Sequence, residues 1–191
     1  MAPFVGLTGG LGAGKSEALR LLEELGAVTL STDAVVHELL ETDELRDEVV
    51  ARLGPDVAVD GRLDRSRIAE RVFGDDEARK WLEGLLWPRV GVRVAEWRAQ
   101  SPDRVAVVEV PLLFESGMEA VFDSTIAVIA DEDVRERRAA ARGHASVAER
   151  AGRQLTQAEK ADRADFEVRN DGSLDELKQN LSRVLATLES T

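Results

Sequence analysis

No cysteine occurs among the 191 residues. Its absence excludes disulfides, thiolate catalysis and cysteine-ligated zinc. No apolar run approaches the roughly 18–20 residues that cross a bilayer, so no membrane partner is expected. The opening Met1-Ala2-Pro3-Phe4-Val5-Gly6 has neither a basic flank nor a small-residue cleavage pattern. It does not read as a signal peptide, and with the missing cysteine it fits a cytoplasmic location. Positive charge is also short, with 25 Lys and Arg against 37 Asp and Glu and a formal net charge of −12. Nucleic acids are bound largely by neutralising their phosphates with Lys and Arg, so no nucleic-acid partner is expected. A small polyanion must instead be attracted by local geometry, through backbone N–H groups and a few placed arginines.

What is present is ordinary for a globular α/β chain, with 43% hydrophobic and 32% charged residues. The length suits one domain with insertions, expected as a monomer or a weak homo-oligomer. Five segments read as strands: Phe4 to Thr8, Val28 to Ser31, Val105 to Val110, Thr125 to Ala130 and Phe166 to Asn170. Helical stretches such as Ser16 to Leu25 and Asp133 to Arg142 alternate with them, which favours a parallel five-stranded sheet flanked by helices. The first four strands are apolar enough to be buried, and the alternating fifth belongs nearer an edge. The long stretch between Ser31 and Val105 exceeds any simple crossover and is read as a helical substrate-binding insertion, residues 35–100. An arginine-rich excursion over 138–154 carries Gly143 and Gly152 and is read as a small lid. The core then comprises 1–34, 101–137 and 155–191, and Leu174 to Leu188 has the spacing of an amphipathic helix that packs on it.

The strongest signal follows the first strand. Gly9-Gly10-Leu11-Gly12-Ala13-Gly14-Lys15-Ser16 satisfies G-x-x-x-x-G-K-[ST] and runs directly into a helix. Such a loop turns consecutive N–H groups toward phosphate oxygens, and the helix adds its positive end. Lys15 is placed for the β- and γ-phosphates of ATP and the Ser16 hydroxyl for Mg2+. The guanine signature Asn-Lys-x-Asp and the switch motif Asp-x-x-Gly are both missing, which argues against a GTPase switch.

Asp33 ends Ser31-Thr32-Asp33, at the carboxyl edge of the sheet where ligands of such folds collect. It suits a base for an attacking hydroxyl and a partner of hydrated Mg2+, and equally a helix cap; spacing alone leaves both open. His37 shares a helix face with Asp33, as an acceptor contact or as a half-buried helical histidine. Arg138 and Arg142, with Arg150 and Arg153 behind them, suit either a phosphate clamp or a solvated helix with internal pairs. Glu109, ending the third predicted strand, occupies the position of a carboxylate that reaches magnesium through water. Glu115 is read as a substrate contact or a cap.

Together these residues resemble the dephospho-coenzyme A kinase family over nearly the whole chain. The likeness runs through Leu7 to Ser16, Asp33 with His37-Glu38-Leu39, Gly61-Arg62-Leu63-Asp64-Arg65, Val72-Phe73 and Pro111-Leu112-Leu113-Phe114-Glu115. It continues through Arg138, Arg142, Arg150 with Gln154, Lys160, Ala164-Asp165-Phe166 and Asn170-Asp171-Gly172. The loop is common to many kinases; Pro-Leu-Leu-Phe-Glu and Arg-x-x-x-Gln in this order are much more specific. The resemblance implies a P-loop NTPase-type fold and ATP-dependent phosphorylation of the ribose 3′-hydroxyl of dephospho-coenzyme A. It implies that Asp33 is the base, that Arg138 and Arg142 meet the phosphates and that Asn170 contacts adenine. It also implies that Gly9 to Glu17 line the nucleotide, and that His37, Arg65, Pro111, Leu112, Leu113 and Glu115 line the acceptor. Three positions depart from the family pattern. Ser31-Thr32-Asp33 stands for Asp-Ala-Asp, Glu17 for the threonine after the loop serine, and Trp87-Pro88 for His-Pro.

Overall fold

The computed structural model describes residues 1–141 and 154–190. Contacts divide the chain into two compact units, Met1–Ser31 with Arg98–Thr191, and Thr32–Trp97.

The first unit is built on a parallel sheet of β1 (Phe4–Gly9), β2 (Val28–Ser31), β5 (Ala106–Glu109), β6 (Ser124–Ile129) and β7 (Phe166–Arg169), in the order β2-β5-β1-β6-β7. The most apolar segments take the middle, where both faces are covered. Every residue of β5 is buried, and β1 and β6 are buried beyond their first residue. The alternating β7 lies at an edge, as its pattern requires. β2 was expected to be as buried as β1, and the structure corrects this. It forms the opposite edge, and its four residues are only half-buried.

Alternation along β1 explains the layers. Val5 and Leu7 join the core cluster that also holds Leu21 and Leu22 of α1 (Lys15–Glu24). The final helix, Leu174–Glu189, adds Leu177, Leu181, Leu185 and Leu188, whose helical spacing gives it one continuous apolar stripe. A capping box between Ser173 and Glu176 starts this helix. Gly6 points to the other face, where a Cβ would come within 2.8 Å of Phe122 and 3.1 Å of Leu113. The same face carries Thr8, fully buried at the end of β1.

The second unit holds α2 (Thr32–Leu40), α3 (Asp43–Leu53), α4 (Arg65–Val72) and most of α5 (Asp76–Ala99), which contains Pro88. Its core gathers Leu40, Leu45, Val49, Leu53, Val57, Ile68 and Ala78. The turn signal at Asp60-Gly61 joins two short antiparallel strands, β3 (Ala58–Val59) and β4 (Arg62–Leu63), an element the sequence reading did not include. Among the described residues no helix is long and apolar enough to cross a membrane.

Near the end of the chain, α7 (Gln157–Arg163) is followed by Ala164-Asp165, which leads into β7. One carboxylate oxygen of Asp165 accepts from both the amide and the hydroxyl of Thr125, each at 2.8 Å. It thereby pins the start of β6. Asp165→Ala should lower stability by about 2–4 kcal/mol, the scale of two hydrogen bonds to an ionised group, read by urea unfolding. A loss under about 0.5 kcal/mol, the range of an unremarkable surface change, would show that this tie is unimportant.

Candidate active site

The Gly9–Ser16 loop leaves the central strand β1, turns, and enters α1 at Lys15. Gly12 and Gly14 sit at φ +76° and +94°, a region that side chains disfavour. A Cβ on Gly12 would also fall 2.5 Å from the Arg135 carbonyl oxygen, and one on Gly14 2.1 Å from the Asn170 amide nitrogen. Glycine is required at both on two independent grounds. Gly14 caps α1 without a side-chain hydrogen bond, so no side chain competes for the amides of the first turn.

Three carbonyls of the loop are engaged by side chains. Arg135, on α6 (Glu132–Ala141), donates from Nε to Leu11 O at 2.9 Å. Asn170 donates from Nδ2 to Ala13 O at 2.8 Å, and Lys15 from Nζ to Gly10 O at 3.2 Å. Arg138 in turn holds the Asn170 carbonyl at 3.0 Å. The Ala13 amide closes the turn onto Gly10 O at 3.2 Å. With these carbonyls engaged, the other amides of the loop do not compete with them for a phosphate. Burial pulls the Arg135 guanidinium below its ordinary pKa, and the neighbouring Glu132 and Glu136 oppose that shift.

Arg135 was absent from the residues singled out by sequence. Its signal was there, because it lies on the helix face that carries Arg138. Asn170, expected at adenine, is only 4% exposed, with its amide committed to the loop. In the structure its side chain braces the loop. Ser16 is exposed at the start of α1. Glu17 is paired through Oε1 with Arg20, at 3.1 Å from Nε and 2.5 Å from Nη2, so the negative charge at this departure is compensated within the helix.

At the end of β5, Glu109 is paired in register with Leu7 of β1 and Ser31 of β2, and is only 6% exposed. Beyond it the turn Pro111 to Glu115 leaves Pro111 and Leu112 half-buried. Leu113 is fully buried against Gly6, and its apolar side chain seals this face of the sheet. Glu115 faces inward, its Oε1 3.0 Å from Lys160 Nζ and accepting from the Leu155 amide at 2.9 Å.

In the helical unit, Asp33 is exposed in the first turn of α2. His37 lies one turn on, 3.7 Å from Glu41. His37 and Arg65 line one cavity of 280 Å³ together with Leu40, Arg46 and Arg62. Arg142, with Arg150 and Arg153, lies outside the described residues.

A family model described as dephospho-CoA kinase matches residues 3–176. The chain belongs to the dephospho-CoA kinase family. It is 38% identical to the dephospho-CoA kinase of Protochlamydia amoebophila, over 97% of this chain and 96% of that protein. A crystal structure from Thermus thermophilus superposes with a TM-score of 0.83 at 36% identity, covering 98% of both chains. A shikimate kinase from Bacteroides thetaiotaomicron, at 14% identity and a TM-score of 0.55, shares the fold over 99% of both chains. The nucleotide loop of this dephospho-CoA kinase family member therefore sits in a P-loop kinase fold.

Arg135→Leu should leave Leu11 O without its donor and weaken ATP binding roughly tenfold or more, the scale of one charge-assisted hydrogen bond. Calorimetric titration with ATP reads this directly. Unchanged affinity would mean that the loop holds its shape without Arg135.

Proposed function

We infer that this chain transfers the γ-phosphoryl group of ATP to the ribose 3′-hydroxyl of dephospho-coenzyme A, giving coenzyme A and ADP. This is the last step of coenzyme A synthesis. Family membership supports the acceptor. The observation that carries the donor side is the loop whose Leu11 and Ala13 carbonyls are braced by Arg135 and Asn170, with Lys15 Nζ folded over it onto Gly10 O. Amides held in this way need no reorganisation when charge develops on the transferring group.

The donor set suits magnesium. Among the described residues no group of three or more His, Asp or Glu is placed to hold a metal, while the Ser16 hydroxyl stands exposed at the loop. Magnesium retains water and substrate phosphate oxygens and takes only one or two protein ligands; Ser16 at the loop is one candidate, and Asp33 of the helical unit, by its family motif, is the other. When bound, it would supply positive charge between the β- and γ-phosphate oxygens.

The remaining roles belong to the protein. Lys15 reaches the β- and γ-phosphates from the first turn of α1. Asp33 orients the 3′-hydroxyl and accepts its proton, a role supported by its exposure and by the match of its motif to the family. His37 and Arg65 share a cavity whose arginines suit an anionic acceptor, which supports the helical unit as the coenzyme-holding part. Arg138, close to Gly14, and Arg142 add positive charge near the phosphates. The soluble small-molecule chemistry fits a cytoplasmic enzyme that acts as a monomer or weak oligomer.

Asp33→Asn keeps the shape of the side chain and removes its basicity. Turnover in a coupled assay of coenzyme A formation should fall on the order of 10²- to 10⁴-fold, with ATP affinity nearly intact. Unchanged turnover would remove Asp33 from the chemistry.

A further inference from the structure

Lys160, on α7, is the largest fully buried side chain among the described residues, with 0% exposure. Its Nζ donates to Pro111 O at 2.7 Å and to Thr8 Oγ1 at 3.4 Å, and lies 3.0 Å from Glu115 Oε1. Its three donors thus meet three acceptors on two separate chain segments. Thr8 immediately precedes the phosphate loop, and its hydroxyl also donates to Pro111 O at 3.2 Å. Pro111 and Glu115 begin and end the turn that follows β5.

An ammonium is a costly way to fill this space. Taking a charge out of water costs several kcal/mol even when it is paired, and a hydrophobic side chain of similar volume often serves stability as well or better. Burial accordingly pushes the Lys160 pKa down, with the hydrogen bond and charge of Glu115 opposing the shift. What an ammonium does, and an apolar side chain does not, is hold three oxygens at fixed distances from one point. Glu115 depends on it, because Glu115 Oε2 is buried with no hydrogen-bond partner among the described residues. Lys160 is the cation paired with its other oxygen, at 3.0 Å.

We propose that Lys160 is a positioning residue for phosphoryl transfer. By gathering Thr8, Pro111 and Glu115, it sets the spacing between the phosphate loop and the Pro111–Glu115 turn on the acceptor side. This rests on the dephospho-CoA kinase reading above. The effect is indirect: Lys160 is sealed from solvent and touches neither substrate, while the loop itself keeps its bonds from Arg135 and Asn170. Loss of Lys160 therefore acts on the acceptor more than on ATP.

The test compares wild type, Lys160→Met and the double variant Lys160→Met/Glu115→Leu, with thermal unfolding, ATP titration and steady-state coenzyme A formation for each. Lys160→Met should melt lower and lose on the order of 10²-fold in kcat/KM for dephospho-coenzyme A, the scale of a 1 Å misplacement, with ATP affinity close to wild type. The double variant removes both charges, so its melting temperature should recover while kcat/KM does not, and Glu115→Gln measured alone gives the part of that loss owed to Glu115 itself. The double variant carries the test if Lys160→Met does not fold. Folded Lys160→Met with wild-type acceptor kinetics, or a double variant that regains kinetics together with stability, would overturn the positioning role and leave the enzyme's function standing. A wild type that forms no coenzyme A would overturn both.

Discussion

Everything in the nucleotide half depends on where the carbonyls of one loop point. A peptide chain presents as many acceptors as donors, so a turn binds a triphosphate only if its oxygens are engaged elsewhere. Here a guanidinium, a carboxamide and an ammonium take the carbonyls of Leu11, Ala13 and Gly10. The loop can then offer its amides to an anion on a protein of net charge −12. Global charge repels the ligand, and local geometry attracts it.

The fold serves this arrangement. β1 is the central strand, so the loop it releases lies between the ends of its neighbours. From β6 the chain passes into α6, bringing Arg135 and Arg138; from β7 it brings Asn170. From β5 it brings Glu109 and the Pro111–Glu115 turn. The opposite requirements of the two faces of β1 are met by alternation, with Val5 and Leu7 packed in the core and Gly6 and Thr8 turned toward Leu113 and Lys160. A single strand thus connects hydrophobic packing to the site.

Much of this was legible in the sequence, and for identifiable reasons. The third strand opens with the uninterrupted apolar run Val105 to Val108, bounded by Arg104 and Glu109, which is what a strand covered on both faces looks like. The loop announces itself because two of its glycines are required both by backbone angle and by close approach. Even so, β2 reads as buried although it is an edge strand, since four moderately apolar residues do not reveal which neighbours cover them. The Asp60-Gly61 turn was visible, whereas the strands it joins are only two residues each, too short for alternation to register. Side-chain direction was the least legible feature. Asn170 and Leu113 were singled out by motif, and in the structure each side chain turns into the protein, one to a carbonyl and the other to the sheet. Arg135 went unnoticed because its carbonyl partner, Leu11, is distant in sequence.

The most direct test of the braced loop is a titration of isotope-labelled protein with ATP and magnesium, followed through backbone amide resonances. The account predicts that the amides of Gly12, Gly14, Lys15 and Ser16 shift first and saturate together, as donors captured by phosphate. Saturable ATP binding that leaves those four resonances in place and moves others would contradict it.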